Sequence, residues 1–439
     1  MQHTALLTDH YELTMVQAAL RSETADRPSV FEMFARRLPD GRRYGVVAGT
    51  GRVLDAVAAF TFGDLELGWL REHAIVDERT LDWLASYRFS GTIWGYGEGE
   101  AYFPGSPILV VESTFAEGVV LETLLLSILN HDSAVAAAAS RMVRAAEGRP
   151  CIEMGSRRTH EWAGMAAARA AYVAGFTTTS NLQAGLDYGV PTAGTAAHSF
   201  TLLHDSERDA FTAQVESLGR GTTLLVDTYD VAEAVRTAVD ITGPDLGAVR
   251  IDSGDLSLLA KQVRRQLDEL GAHKTRIIVT GDLDEFSMAG LSGAPVDAYG
   301  VGTSLVTGSG APTCGFVYKL VARGASGGPD LPLVAVAKSS SHKTTVGGRK
   351  WAARRCDARG TAVAEVLGIG ESPPHDDNDR MLLLPLVRDG EVVGRESLAA
   401  ARERHDRAMR ELPVEAGKLS RGEPVIDTEY VSPTSPRVR

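Results

Sequence analysis

The stretch Ala248-Val249-Arg250-Ile251-Asp252-Ser253-Gly254-Asp255-Leu256 sets an arginine inside a short apolar run and an acidic Ser-Gly turn at its exit. It reads as a buried strand handing over to a helix, because residues 256–270 continue with helical apolar spacing. Outward from it the same unit recurs. Apolar or β-prone runs stand at 151–155, 175–179, 191–198, 224–228, 248–252, 276–280 and 298–302, with starts 24, 16, 33, 24, 28 and 22 residues apart. Helical text at 161–174, 231–239 and 256–270 fills gaps between them. This alternation predicts an α/β barrel or an open parallel sheet. Nearly every run ends in polar or glycine text, as the ligand-bearing end of such a sheet does.

The flanks read differently. Residues 9–19 and 65–86 are amphipathic and helical, 91–105 and 108–112 extended, and 120–146 a long Leu- and Ala-rich helical stretch. After about residue 350 come turns and short strands at 360–375 and 385–394, a charged helix at 397–412, and an irregular tail beyond Pro413. The expected organisation is an N-terminal α+β domain over 1–120, a barrel over 121–345 and a C-terminal segment, 346–439, that partly completes the N-terminal domain. The charge sum, 45 basic minus 57 acidic residues or −12, argues against general nucleic-acid binding and leaves room for local basic clusters that receive a small polyanion. The most apolar stretch, 119–129, is interrupted by Glu122 and is shorter than the roughly 20 residues of a membrane span, so none is expected. Three scattered cysteines, Cys151, Cys314 and Cys356, exclude a disulfide framework and predict a reducing, cytoplasmic setting.

Several strand exits carry candidate chemistry, each with an ordinary alternative. Asp252, Ser253, Gly254 and Asp255 can bind ribose hydroxyls or a magnesium-bound phosphate; the alternative is a strand end with Asp255 capping the next helix. Arg250 on an apolar strand needs an anionic partner if buried. Gly281-Asp282 and Gly300-Val-Gly302-Thr303-Ser304 suit a backbone cradle for a phosphate, although glycine turns are common in any barrel. Arg157 and Arg158 offer guanidinium forks for carboxylate or phosphate, or simply a solvated helix start. His198 follows a small-residue run; a lone histidine is usually structural, and no zinc spacing surrounds it. Neither a dinucleotide fingerprint nor a Walker pattern is present: Gly417-Lys418 is followed by Leu419.

In order along the chain, Leu7-Thr-Asp-His-Tyr-Glu-Leu-Thr-Met15, Phe31-Glu-Met-Phe-Ala-Arg-Arg37, Tyr44-Gly-Val-Val-Ala-Gly49, Arg157, Thr179-Ser-Asn181, His198, Arg250 to Asp255, Gly281-Asp282, Gly302-Thr303 and Phe316-Val-Tyr-Lys319 resemble the nicotinate phosphoribosyltransferase family. The resemblance covers about three quarters of the chain. It implies an irregular, incomplete α/β barrel with a second α+β domain built from N- and C-terminal segments, working as a cytoplasmic homodimer with shared sites. It implies a C–N bond-forming ligase of NAD salvage that joins nicotinate to phosphoribosyl pyrophosphate, with Mg²⁺ carried on the substrate and ATP as co-substrate. By the same resemblance His198 is the histidine that ATP phosphorylates, and Arg250 and Asp252 contact the substrates. Gly281, Gly302 and Thr303 hold the 5′-phosphate, Arg157 seats the pyridine acid, Tyr11 reaches into the neighbouring subunit, and Lys319 contacts phosphate. Asp282, Ser180, Asn181, Ser253, Gly254 and Asp255 complete the expected substrate-binding set. Met154 stands where many relatives carry an aromatic residue, and Ser180 near an aspartate of the nicotinamide enzyme, which favours acid over amide.

The alternatives are a nicotinamide-specific or quinolinate-type phosphoribosyltransferase, a Schiff-base lyase, and a non-catalytic metabolite-binding barrel. No candidate strand ends in lysine, which counts against the lyase. Arg250, Asp252 and His198 together count against the non-catalytic barrel.

Overall fold

A computed structural model describes residues 4–325, 332–338, 346–370 and 378–431. The chain forms two compact units, one of Met1–Ala134 with Thr313–Arg439 and one of Val135–Pro312. The expected boundaries at 120 and 345 thus move to 134 and 312. The helix Glu122–Ala145 is continuous across the first point, and the strand Phe316–Gly324 pairs with Pro28–Ala35, which places residues after 312 with the N-terminal segment.

The first unit is built around a seven-stranded antiparallel sheet in which Pro28–Ala35 lies between Leu109–Thr114 and Phe316–Gly324. A four-stranded sheet adds Lys350–Cys356, Ala362–Ile369, Asp379–Met381 and Asp427–Val431. Residues far apart in the chain therefore share one core, where Phe31 stacks on Tyr318 at 5.0 Å. The helical text 65–86 resolves into Asp64–Glu72 and Glu78–Ser86, the second capped by Asp77. The tail expected to be irregular contains Val414–Gly417 as a 3₁₀ turn and Asp427–Val431 as a strand. The turns and strands expected at 360–375 lie partly outside the described residues; inside them, Ala362–Ile369 is a single strand.

This unit also holds buried and half-buried ion pairs. Lys350 Nζ meets Glu32 Oε2 at 2.7 Å, Arg354 Nη2 meets Glu365 Oε2 at 2.8 Å, and Arg380 bridges Glu100 at 2.8 Å and Glu411 at 2.6 Å. Arg354 is fully buried between Glu365 and Glu100. Residues 115–145 are long and apolar enough for a membrane span by length and composition, but 67% of the apolar window is buried inside the protein, as in a core helix.

The second unit carries a six-stranded parallel sheet in the order Thr178–Thr179, Cys151–Glu153, Ala298–Val301, Arg276–Val279, Ala248–Ile251, Thr223–Leu225. It does not close, so the incomplete α/β barrel expected from the sequence is what forms. One expected strand is absent: of 191–198 only Thr192 bridges Thr179, and the rest is irregular up to the helix His198–Leu203. Gly194 and the alanines around it offer little β-branched bulk with which to hold a ladder.

Candidate active site

Strand alternation sorts this sheet into two faces. Val249, Ile251, Ile277 and Val279 are fully buried on one face, and Arg250, Asp252, Ile278 and Thr280 follow the other. A cavity of about 560 Å³ occupies that second, concave face, lined among others by Ile152, Met154, Arg157, Ser180, Thr195 and Arg250. This volume suits a metabolite-sized ligand.

Besides Arg276 at the start of its strand, Arg250 is the cation that the sheet itself presents to this cavity. Its Nη1 donates to Thr195 Oγ1 at 2.9 Å, while its Nε is buried with no hydrogen-bond partner. Burial pulls its pKa below the ordinary guanidinium value; Asp252 and Asp227 oppose that, and the nearby Arg157 adds to it. A charge held this way is ready to meet an anion.

Asp227, at the end of Thr223–Leu225, organises the neighbouring exit. Its Oδ2 accepts from Asp252 N at 2.9 Å and from Ser253 Oγ at 2.7 Å. Its Oδ1 is buried without a hydrogen bond and faces His198 Nε2 at 3.8 Å. The other ring nitrogen, Nδ1, lies 3.1 Å from Thr228 Oγ1. His198 is thus held edge-on between two groups of one turn and still partly exposed. Asp252 accepts a hydrogen bond from Thr280. Among the described residues no group of three or more His, Cys, Asp or Glu side chains is gathered for a metal. Asp227 and Asp252 are the hard oxygen donors at this exit, and the unpartnered Oδ1 fits a cation arriving with a phosphate ligand.

The glycines answer to space. Gly281 has φ +107°, and a Cβ there would stand 2.1 Å from the Asp252 carbonyl oxygen, so the turn passes against the neighbouring exit only as glycine. Gly302 and Thr303 begin the short helix Thr303–Val306 after Ala298–Val301. Asp282 follows Gly281, exposed, with φ 45°. Asn181 and Asp255 cap the helices Leu182–Tyr188 and Leu256–Glu269 through Ala184 N and Leu258 N. For Asp255 this is the capping geometry that was the ordinary alternative, with Gly254 at φ +88° shaping the turn before it.

The structure therefore brings Arg157, Ser180, His198, Arg250 and Asp252 onto one end and one face of a single unit. Reading the sequence passed over Asp227, Thr195 and Thr280. The signal for Asp227 was available: an acid stands one residue from the end of the run 224–228, much as Asp252 ends 248–252.

A model of the nicotinate phosphoribosyltransferase (NAPRTase) N-terminal domain matches residues 6–130. The chain is 58% identical to the nicotinate phosphoribosyltransferase pncB1 of Mycobacterium tuberculosis, over 97% of this chain and 95% of that protein. It belongs to the nicotinate phosphoribosyltransferase family. Another member, from Bacillus subtilis, is 36% identical over 79% of this chain and 72% of its own. The crystal structure of human nicotinic acid phosphoribosyltransferase matches with a TM-score of 0.82 at 25% identity over 97% of both chains. A nicotinate-nucleotide pyrophosphorylase from Pyrococcus furiosus shares the fold, with a TM-score of 0.76 at 22% identity over 93% and 96%.

Two residues singled out by resemblance to the nicotinate phosphoribosyltransferase family lie in the first unit. Tyr11 is 45% exposed, and partial burial beside Glu122 pushes its hydroxyl up to about 12. Lys319 Nζ lies 3.7 Å from Glu122 Oε1. Tyr11 and Lys319 thus flank one carboxylate.

Proposed function

We propose that the chain catalyses formation of nicotinate mononucleotide and pyrophosphate from nicotinate and Mg²⁺-bound phosphoribosyl pyrophosphate in NAD salvage, coupled to ATP through phosphorylation of His198. The observation that carries this reading is that Arg157 and Arg250 line one cavity while Asp252 and His198 meet at Asp227 on the adjoining strand exit, in a member of this family.

The pyridine nitrogen supplies its lone pair to C1 of the ribose while the C1–oxygen bond breaks and pyrophosphate leaves with that bond's electrons. No proton moves, so the site needs no general base. It needs orientation and charge stabilisation. Arg157 would grip the nicotinate carboxylate with its two-pronged guanidinium, and Arg250 would counter charge developing on the departing pyrophosphate. Asp252 and Asp227 would hold ribose hydroxyls or the substrate's Mg²⁺, whose chemistry is to neutralise the leaving group. The turns at Gly281 and at Gly302-Thr303 would receive the 5′-phosphate. Asp227 and Thr228, facing the two ring nitrogens of His198, would orient the imidazole so that it accepts a phosphoryl group from ATP and loses it to water, altering the charge beside the pyrophosphate.

The reading extends to a cytoplasmic homodimer in which Tyr11 reaches the neighbouring site. Three free cysteines and the half-exposed Tyr11 support it. The test incubates the protein with nicotinate, phosphoribosyl pyrophosphate and Mg²⁺, with and without ATP, and measures the mononucleotide. Preference for nicotinamide, or CO₂ release from quinolinate without ATP, would replace the proposal with one of its relatives.

A further inference from the structure

We infer that Glu153 is a positioning residue for the pyridine subsite, fixing the turn that carries Arg157 against the end of the strand that carries Ser180. The inference rests on the proposed role of Arg157. Glu153 sits on the face of Cys151–Glu153 turned away from the cavity and is fully buried. Among the described residues no cation stands beside it, so burial pushes its pKa upward, partly offset by its hydrogen bonds to Thr179 and Gly155. A carboxyl group placed so is costly to bury, and an aliphatic side chain would occupy the space without that cost.

What the carboxyl group provides is connectivity. Its Oε1 accepts from the Gly155 N–H and its Oε2 from the Thr179 hydroxyl. Thr179 Oγ1 accepts in turn from Asn181 N at 2.9 Å, and Asn181 Nδ2 donates to Ser156 Oγ at 2.9 Å. The circuit runs from the first turn to the second and back. Ser180 N also donates to the Glu153 carbonyl at 2.9 Å. Gly155 has no slack, since a Cβ there would stand 2.2 Å from Val306 Cγ1. Arg157 lies two residues beyond Gly155, and its side chain has no hydrogen bond or ion pair among the described residues. Its placement therefore comes from the turn, and the turn is held by Glu153.

The test is steady-state kinetics of the full chain with each substrate varied. Glu153→Ala and Thr179→Val should raise the nicotinate KM about tenfold or more, as small misplacements at a site do, and leave the phosphoribosyl pyrophosphate KM within about twofold. Glu153→Gln should stay near wild type, because its amide accepts from Gly155 and donates to a Thr179 oxygen that retains lone pairs. In an Arg157→Ala background, Glu153→Ala should add little. Equal rises in both KM values, a lowered Tm with unchanged nicotinate KM, or a Glu153→Gln variant as impaired as alanine would overturn the inference. Should Glu153→Ala not fold, Thr179→Val decides, and an unchanged nicotinate KM there is fatal. A wild type that forms no nicotinate mononucleotide would instead remove the functional reading on which the inference stands.

Discussion

The core of the first unit and the cavity of the second treat buried charge in opposite ways. In the first, Arg354 is fully buried between Glu365 and Glu100, and Lys350 is paired with Glu32, so each cation is answered by a carboxylate of the same unit. In the second, Arg250 has a neutral threonine hydroxyl as its hydrogen-bond partner, and Asp227 Oδ1 has none. The first arrangement fixes a fold assembled from distant segments. The second leaves electrostatic demand for something that is not protein.

The largest effect should come from breaking the answered kind. Arg354→Met leaves the buried Glu365 without a cation and Glu100 with Arg380 alone, and should cost about 3–5 kcal/mol in urea unfolding; a loss under about 1 kcal/mol would erase the contrast. Next, Arg250→Met should lower kcat/KM by about 10²–10³-fold while leaving Tm unchanged or higher. A Tm fall like that of the Arg354 variant would make Arg250 structural. Smaller again, Arg157→Ala should raise the nicotinate KM about tenfold with little change for phosphoribosyl pyrophosphate; an unchanged nicotinate KM would take Arg157 out of the site. Smallest on the basal rate, His198→Ala should abolish ATP stimulation and keep ATP-independent turnover within about twofold. Equal stimulation in mutant and wild type would end the phosphohistidine proposal.

The parallel sheet was legible because its strands read as compact apolar runs with polar exits. The runs at 248–252, 276–280 and 298–302 became strands within a residue of their expected ends. The first unit was less legible. Pro28–Ala35 and Phe316–Gly324 pair across almost three hundred residues, and such long-range pairing leaves no local periodicity to find. In the site, arginines and glycines announced themselves by type at strand exits, whereas Asp227 was read only as polar exit text. Its importance comes from where Ser253 and His198 arrive, which is a tertiary fact. Glu153 was hidden more deeply, as an outward-facing acid on a strand three residues long.

Because the parallel sheet never closes, the space that further strands would have filled is walled by residues 193–197, and His198 follows directly from that wall. A strand in that place would tie any change of length to a shift of register along its neighbours. An irregular wall carries such a tie only at its start, where Ala193 N donates to the Thr179 carbonyl at 2.9 Å. Residues can be gained or lost before His198 while Arg250 and the glycine turns keep their places, so the histidine proposed to accept phosphate and the floor proposed to grip an anion are free to diverge separately.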